Sequence, residues 1–309
     1  RNTLPSRLSS LLRSAQVKPK IANPSIHEGD ETTSDEYEHE QFSSWERTFV
    51  KCFEDMDEEL SVDASIDSFC SGSTAVTIVK QGNYLIIANL GDSRAILCSR
   101  GPNNQLVPLQ LTTDQKPNVA SEAERIKQSK GRIFAIPEDP GVYRIWMPNE
   151  DCPGLAMARA FGDFCLKDYG LISVPIVSCR KLTKNDEFVV LASDGVWDVL
   201  SNSDVVKIVA SVRERELAAK ILVKIAVQAW RVKYPGSKVD DCSVVCVYLK
   251  KRTVFSRSFS EVSRVSMNHT ELAEGYSEVS RASVHRSEMA VVPQKPLGKW
   301  RQRKVFKDE

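Results

Sequence analysis

Apolar positions change period several times along this chain. Leu4, Leu8, Leu11 and Leu12 recur at the spacing of one helix face, which predicts a helix over residues 1–14. Residues 18–41 are polar, acidic and proline-containing, and read as a long loop. Phe42, Trp45, Phe49, Phe53, Met56 and Leu60 then fall on one side of a second helix, a stripe suited to packing on a sheet. Near residue 69 the pattern shortens to strands. Ala75–Val79 and Tyr84–Leu90 are apolar, partly β-branched runs separated by Gln81-Gly82-Asn83, a hairpin signal. Gly91-Asp92-Ser93 reads as a turn and Arg94–Cys98 as the returning strand, so three hairpin-linked strands of one antiparallel sheet are expected. A helix is predicted over 121–130 with Ser121 as its N-cap. Residues 136–154 hold Pro137, Pro140, Pro148 and Pro153 and predict a long irregular excursion of the kind that often forms a functional lid. Phe188–Ala192 reads as a buried strand, 203–212 and 214–233 as helices with Leu217, Ile221, Leu222, Ile225 and Trp230 on the second one's apolar side, and Ser243–Leu249 as the last strand.

Charge sharpens the ends of this picture. The net charge is +1, but residues 28–60 hold 13 acidic and 2 basic residues, and residues 250–309 hold 13 basic and 7 acidic ones. That asymmetry fits solvated flanks or interaction segments, not a polyanion-binding fold, so no nucleic-acid partner is expected. The division expected is a domain over 1–250 and a Ser/Arg-rich, disordered tail over 251–309, whose near repeat Phe259–Ser266 and Tyr276–Ser283 presents Arg-flanked serines as phosphorylation candidates. Eight cysteines without a Cys-x-x-Cys pair suit a reducing compartment, hence cytoplasm or nucleus. No apolar run approaches the ~20 residues of a membrane span. Membrane attachment through sequence preceding Arg1 is left open.

The chemistry concentrates at strand ends. Asp92 follows Leu85–Leu90, Asp194 follows Phe188–Ala192, and Asp240 with Asp241 precedes Ser243–Leu249. If these strands are neighbours, their ends gather carboxylates that repel one another unless a cation neutralises them. Mg²⁺ and Mn²⁺ prefer such oxygen donors. Asp198 lies one helical turn after Asp194 and can face the same ion. Taken singly, each aspartate is as well explained as a turn former. The four histidines, His27, His39, His269 and His285, fall in loop or tail, against a Ser-His-Asp hydrolase or a zinc-histidine site. No Gly-x-x-x-x-Gly-Lys-Ser/Thr occurs, against a P-loop enzyme. Metal-activated water attacking a phosphorus or carbonyl centre remains.

Six ordered segments carry a resemblance: Ser71–Ala75, Ala88-Asn-Leu-Gly-Asp-Ser-Arg-Ala95, Leu111-Thr-Thr-Asp-Gln-Lys-Pro117, Leu155-Ala-Met-Ala-Arg-Ala-Phe-Gly-Asp163, Leu191-Ala-Ser-Asp-Gly-Val-Trp-Asp198 and Asp240–Ser243. Together they resemble the type 2C protein phosphatases, with a plant-like character at Trp146–Glu150 and Asp168–Pro175. The resemblance implies an α+β fold, a four-layer α-β-β-α sandwich of two antiparallel sheets flanked by helices. It implies hydrolysis of phosphoserine or phosphothreonine by metal-activated water, with two catalytic Mg²⁺ or Mn²⁺ ions and a possible third. Carried over by motif, Asp194 ligates both catalytic ions and Asp240 one of them. Asp92, Asp194 and Asp198 resemble the third, weaker site. Asp163 is taken as structural, and residues 136–154 match a variable flap beside the cleft.

Two departures stand out. Gln115 occupies the usual histidine of the Asp-His-Lys-Pro segment. The family's opening strands, phosphate-binding arginine, early acidic ligand and Asp-Gly-His-Gly segment do not occur in these 309 residues. The chain is therefore expected to be an N-terminally truncated copy of an active enzyme, itself inactive or nearly so, less stable than a complete domain, and with exposed apolar surface and unpaired edges. No catalytic arginine or general-acid histidine is assigned within it. The partners expected are a phosphoprotein substrate and a protein kinase, for a monomer. The alternative is a pseudophosphatase scaffold that holds a phosphoprotein or kinase without turnover. A two-metal nuclease is chemically permissible but lacks a basic groove.

Overall fold

The structure is a computed structural model that describes residues 32–250 together with the single position Ser10. The helix expected over 1–14 and the tail over 251–309 lie outside the described residues. All described elements from Thr32 onward belong to one compact unit.

Helix α1 spans Thr32–Val62. It begins ten residues before the apolar stripe, which corrects the loop expected up to residue 41. Residues 32–41 lack Gly and Pro and carry the helix formers Glu36, Glu38, Glu40 and Gln41. Their acidic charge also suits a helix N-terminus. The stripe itself behaves as its spacing predicts. Phe49, Phe53, Met56 and Leu60 are buried with Ile86, Ala88 and Leu90 of the sheet beneath, and Trp45 packs beside them.

After the short β1 (Gly72–Ser73), which pairs with β9 (Phe161–Gly162), come β2 (Ala75–Gln81), β3 (Tyr84–Leu90), β4 (Arg94–Arg100) and β5 (Leu106–Gln110). The pair β2–β3 is a hairpin closed at Gln81 and Tyr84 by the two-residue turn Gly82-Asn83. The next connection is not a hairpin. β3 belongs to a three-stranded antiparallel sheet of order β10-β3-β2, and β4 to a four-stranded one of order β12-β11-β4-β5. Gly91-Asp92-Ser93 thus steps from one sheet to the other, correcting the single-sheet expectation. Here β10 is Ile176–Lys181, β11 Asp186–Ala192 and β12 Val244–Tyr248.

Strand alternation then sorts the core into layers. Leu85 and Ile87 of β3 meet Leu97 of β4 and Val189 of β11 between the sheets. On its other face the larger sheet turns Ile96, Cys98, Phe188, Val190 and Ala192 toward helices α4 (Asn202–Ser211) and α5 (Ala218–Lys233). The order is α1, sheet, sheet, then α4 and α5, so the α-β-β-α sandwich expected from the resemblance is the fold observed. Helix α4 starts at a capping box between Ser201 and Asp204. Leu217 lies in a short 3-10 turn before α5 and is exposed, not part of its apolar side.

Strand β12 forms an edge of its sheet. Val245 and Val247, on the side facing the other sheet, are 55% and 45% exposed. Such apolar exposure and an unpaired edge among the described residues match the expectation from the sequence.

Helix α2 (Ala120–Gln128) has Val119 at its N-cap and no side-chain cap, so Ser121 is inside the first turn and not the cap. The proline-rich excursion is more regular than expected. Strands β6 (Arg132–Ala135), β7 (Tyr143–Trp146) and β8 (Pro153–Leu155) form an antiparallel sheet, with Trp146 stacked on Phe134 at 4.7 Å between ring centroids. Pairing between distant short segments overrode the turn signals of the prolines.

Candidate metal centre

Asp92 stands at the corner where the chain crosses between sheets, and it is 2% exposed. Two constraints shape that corner. Gly91 has φ 101°, and a Cβ there would lie 2.3 Å from the Thr74 side chain. Its N–H donates to Gln115 Oε1 at 2.6 Å, while Gln115 Nε2 donates to the Asn89 carbonyl at 3.0 Å. The Gln115 backbone N–H also donates to the Gly91 carbonyl at 3.1 Å. The buried Gln115 therefore clips the end of β3 and the Asp92 turn to the 111–117 segment. Its neighbour Lys116 places Nζ 3.2 Å from Asp92 Oδ2. This is an ion pair without hydrogen-bond alignment, and it leaves that buried carboxylate oxygen otherwise unpartnered.

Asp194 opens the short helix α3 (Asp194–Trp197) at the end of β11. A carboxylate in a first helical turn is favoured by the helix dipole, and Asp194 Oδ1 accepts from the Gly195 N–H at 2.9 Å. Gly195 is required by close approach: a Cβ there would lie 2.6 Å from the Asp241 carbonyl oxygen. That approach brings the 240–241 loop against α3. The Ser193 hydroxyl donates to the Asp241 carbonyl at 2.7 Å, and the Ser243 N–H donates to Ser193 Oγ at 2.9 Å. From the helix layer, Trp230 Nε1 donates to the Gly195 carbonyl at 2.6 Å and Lys233 Nζ to the Asp198 carbonyl at 2.7 Å.

Electrostatics bind these aspartates into one group. The Asp194 carboxyl is pushed up to about 6, first by burial and then by the charges of Asp92, Asp240 and Asp198, with Lys116 offsetting part of this. Burial also raises Asp92, against the pull of Lys116. Burial alone would lower Lys116, but Asp92 and Asp198 outweigh it and hold its pKa above the ordinary lysine value. Asp194 thus feels three further carboxylates, and the Lys116 ammonium offsets Asp92, Asp198 and Asp194. An all-oxygen donor set, an excess of negative charge and an underpartnered buried oxygen at Asp92 fit a hard divalent cation. Among the described residues, no three His, Cys, Asp or Glu side chains stand close enough to close a metal cage.

A family model described as protein phosphatase 2C matches residues 13–232. The chain belongs to the protein phosphatase 2C family. It is 57% identical over 235 residues to the probable protein phosphatase 2C 33 of Arabidopsis thaliana, an alignment covering 76% of this chain and 47% of that protein. It is 52% identical over 263 residues to the probable protein phosphatase 2C 73 of Oryza sativa subsp. japonica, covering 84% and 63%. The chain thus spans roughly half to two thirds of the length of the curated relatives it matches. Its fold is similar to the crystal structure of a serine-threonine phosphatase 2C from Toxoplasma gondii, with a TM-score of 0.69 at 24% identity over 80% of each chain. Metal dependence is a general property of the family.

In this phosphatase 2C chain the remaining motifs frame the carboxylates. Thr74 and Ser93 share a hydroxyl hydrogen bond of 2.8 Å beside Asp92. Arg94 grips Asp114 through two nitrogens at 3.0 and 2.5 Å, donates to Asn202 at 2.7 Å and lies 5.0 Å over the Trp197 ring. Arg159 and Arg125 clamp the buried Glu122 at 2.6 and 2.7 Å. Burial alone would raise Glu122, but hydrogen bonds from both arginines hold it below the usual carboxylate range. Asp163 is buried at φ 49°, and burial raises its pKa. Sequence reasoning gave no role to Lys116 or to the linking part of Gln115. Their signal was adjacency within Asp114–Pro117, and it names no partner until the fold brings that segment against the Asp92 corner.

Proposed function

We propose that this chain is the catalytic domain of a metal-dependent protein serine/threonine phosphatase acting on phosphoserine or phosphothreonine proteins. The observation that carries the reading is Asp194. Its carboxyl is pushed up to about 6, first by burial and then by the charges of Asp92, Asp240 and Asp198, and a bound cation would relieve that arrangement while keeping the charges in place. Mg²⁺ or Mn²⁺ suits the oxygen donors. Asp194 would hold two catalytic ions and Asp240 one of them, while Asp92 and Asp198 with Asp194 would hold a third. The bound ions supply activation of water for attack on phosphorus. The protein's own part is placement. Lys116 holds Asp92 oriented and offsets its charge, and the contacts from Trp230 and Lys233 fix the helix that carries Asp194 and Asp198. The sheet over 132–155 would select substrate.

No Asp-Gly-His-Gly segment occurs in the 309 residues. We therefore assign turnover to a longer chain that contains it and little or none to these residues alone. We place the protein in the cytoplasm or nucleus, as a monomer that meets phosphoprotein substrates and a kinase. The test is Mn²⁺-dependent phosphate release from a phosphothreonine peptide. It compares this chain, a chain extended by the missing family segment, and the extended chain with Asp194→Asn. Turnover by the extended wild type alone supports the proposal. A folded but silent extended wild type replaces it with a non-catalytic scaffold.

A further inference from the structure

We propose that Cys70 and Cys165 form a redox-responsive thiol pair that closes to a disulfide when a hydroperoxide is present. The backbone brings them together. The segment before β1 runs alongside the start of the 3-10 helix Phe164–Tyr169. The Phe164 N–H donates to the Ser68 carbonyl at 3.3 Å, the Cys165 N–H to the Phe69 carbonyl at 2.9 Å, and the Asp163 N–H to the Ser71 carbonyl at 2.9 Å. Cys165 therefore lies beside the peptide that joins Phe69 to Cys70. The two thiols thus stand on adjoining backbone segments within electrostatic reach of each other, and both are free. A disulfide bridges Cα atoms about 4.4–6.8 Å apart, a span that suits residues aligned across such a backbone ladder.

The two environments differ in a way that suits sequential chemistry. Cys70 is exposed, whereas Cys165 is buried beside Leu166, Ile126 and Ile145. Burial, then contact with Cys70, pushes the Cys165 thiol up to about 12, so it is not the group that meets an oxidant first. The Cys70 thiolate attacks the peroxide O–O bond, forming a sulfenic acid and releasing an alcohol or, from hydrogen peroxide, water. The Cys165 sulfur then attacks the sulfenic sulfur, the S–O bond breaks, and its thiol proton leaves with the hydroxide as water. Two thiols are oxidised by two electrons and one peroxide is reduced. The link would tie the segment leading into β1, and hence Thr74 beside the Asp92 corner, to the 3-10 helix after Asp163. Cys152, exposed and donating to Glu150 at 3.3 Å, is the competing thiol in reach of Cys70.

The test is peptide mapping of the full chain under non-reducing conditions, before and after hydrogen peroxide. Cys70→Ser, Cys152→Ser and Cys165→Ser variants are compared, with a sulfenic-acid trap present. The expected result is a Cys70–Cys165 cross-link that dithiothreitol reverses and that survives Cys152→Ser. Cys70→Ser should abolish it, and Cys165→Ser should leave trapped sulfenic acid at Cys70. Absence of a Cys70 cross-link in the folded wild type, or a cross-link only to Cys152, would overturn the proposal. The mapping requires no phosphatase activity, so its result is independent of the functional reading above.

Discussion

The Lys116 ammonium stands 3.2 Å from the buried Oδ2 of Asp92 and also feels the charges of Asp198 and Asp194. It restrains an acidic centre that would otherwise repel itself apart. Lys116→Met should therefore destabilise the metal-free chain by about 1 kcal/mol, a figure discounted because Lys116 is partly exposed. Mn²⁺ should restore more stability to the variant than it adds to wild type, since the cation takes over the lost charge. Melting curves with Mn²⁺ and with chelator check both. A variant as stable as wild type in chelator would remove Lys116 from this role.

Asp194 gives the account a pH signature. Its pKa is raised from 3.8 to about 6, so between those values the folded chain keeps a proton that the unfolded chain has lost. The folded state binds more protons there, and stability falls as pH rises through that window. A shift of this size corresponds to about 3 kcal/mol, which exposure of the partly open carboxyl reduces to about 1–2 kcal/mol. Asp194→Asn should accordingly stabilise the metal-free chain by that amount at neutral pH and flatten its stability between pH 4 and 6. Urea unfolding across that range makes the comparison, and a destabilised asparagine variant would refute the electrostatic reading.

Gln115 is 1% exposed and bonds at 2.6 Å to the Gly91 N–H and 3.0 Å to the Asn89 carbonyl. Gln115→Ala should cost about 2–6 kcal/mol, because two buried backbone groups lose their partners at roughly 1–3 kcal/mol each. Urea unfolding measures the loss. A cost under about 0.5 kcal/mol, the range of an ordinary surface change, would show that water replaces the clip.

Much of the fold was legible because burial imposes a period. The stripe from Phe49 to Leu60 and the runs in β3 and β11 are buried on the faces their spacing assigns. What was not legible depends on partners distant in sequence. Gly91-Asp92-Ser93 has the chemistry of a turn whether it joins two strands of one sheet or crosses between two sheets. Only the pairing of β3 with β10 and of β4 with β11 decides that. The same holds for the Pro-rich flap, where β6 and β7 are recruited by each other, and for Ser121, a good cap residue that lies two positions inside the N-cap Val119 of helix α2. At the centre, the aspartates announced themselves by position at strand ends. Lys116 did not, because a lysine beside a proline carries no sign of the carboxylate it will meet.

The most direct test of the central claim, that these aspartates form a divalent-cation site organised on Asp194, is calorimetric titration of Mn²⁺. It compares wild type with Asp194→Asn at neutral pH, with folding of both verified by circular dichroism. The account predicts saturable binding to wild type and a loss of about tenfold or more in affinity for the variant, by analogy with the 10- to 100-fold effects of disturbing groups around a metal. Equal Mn²⁺ binding by the two folded proteins would contradict it.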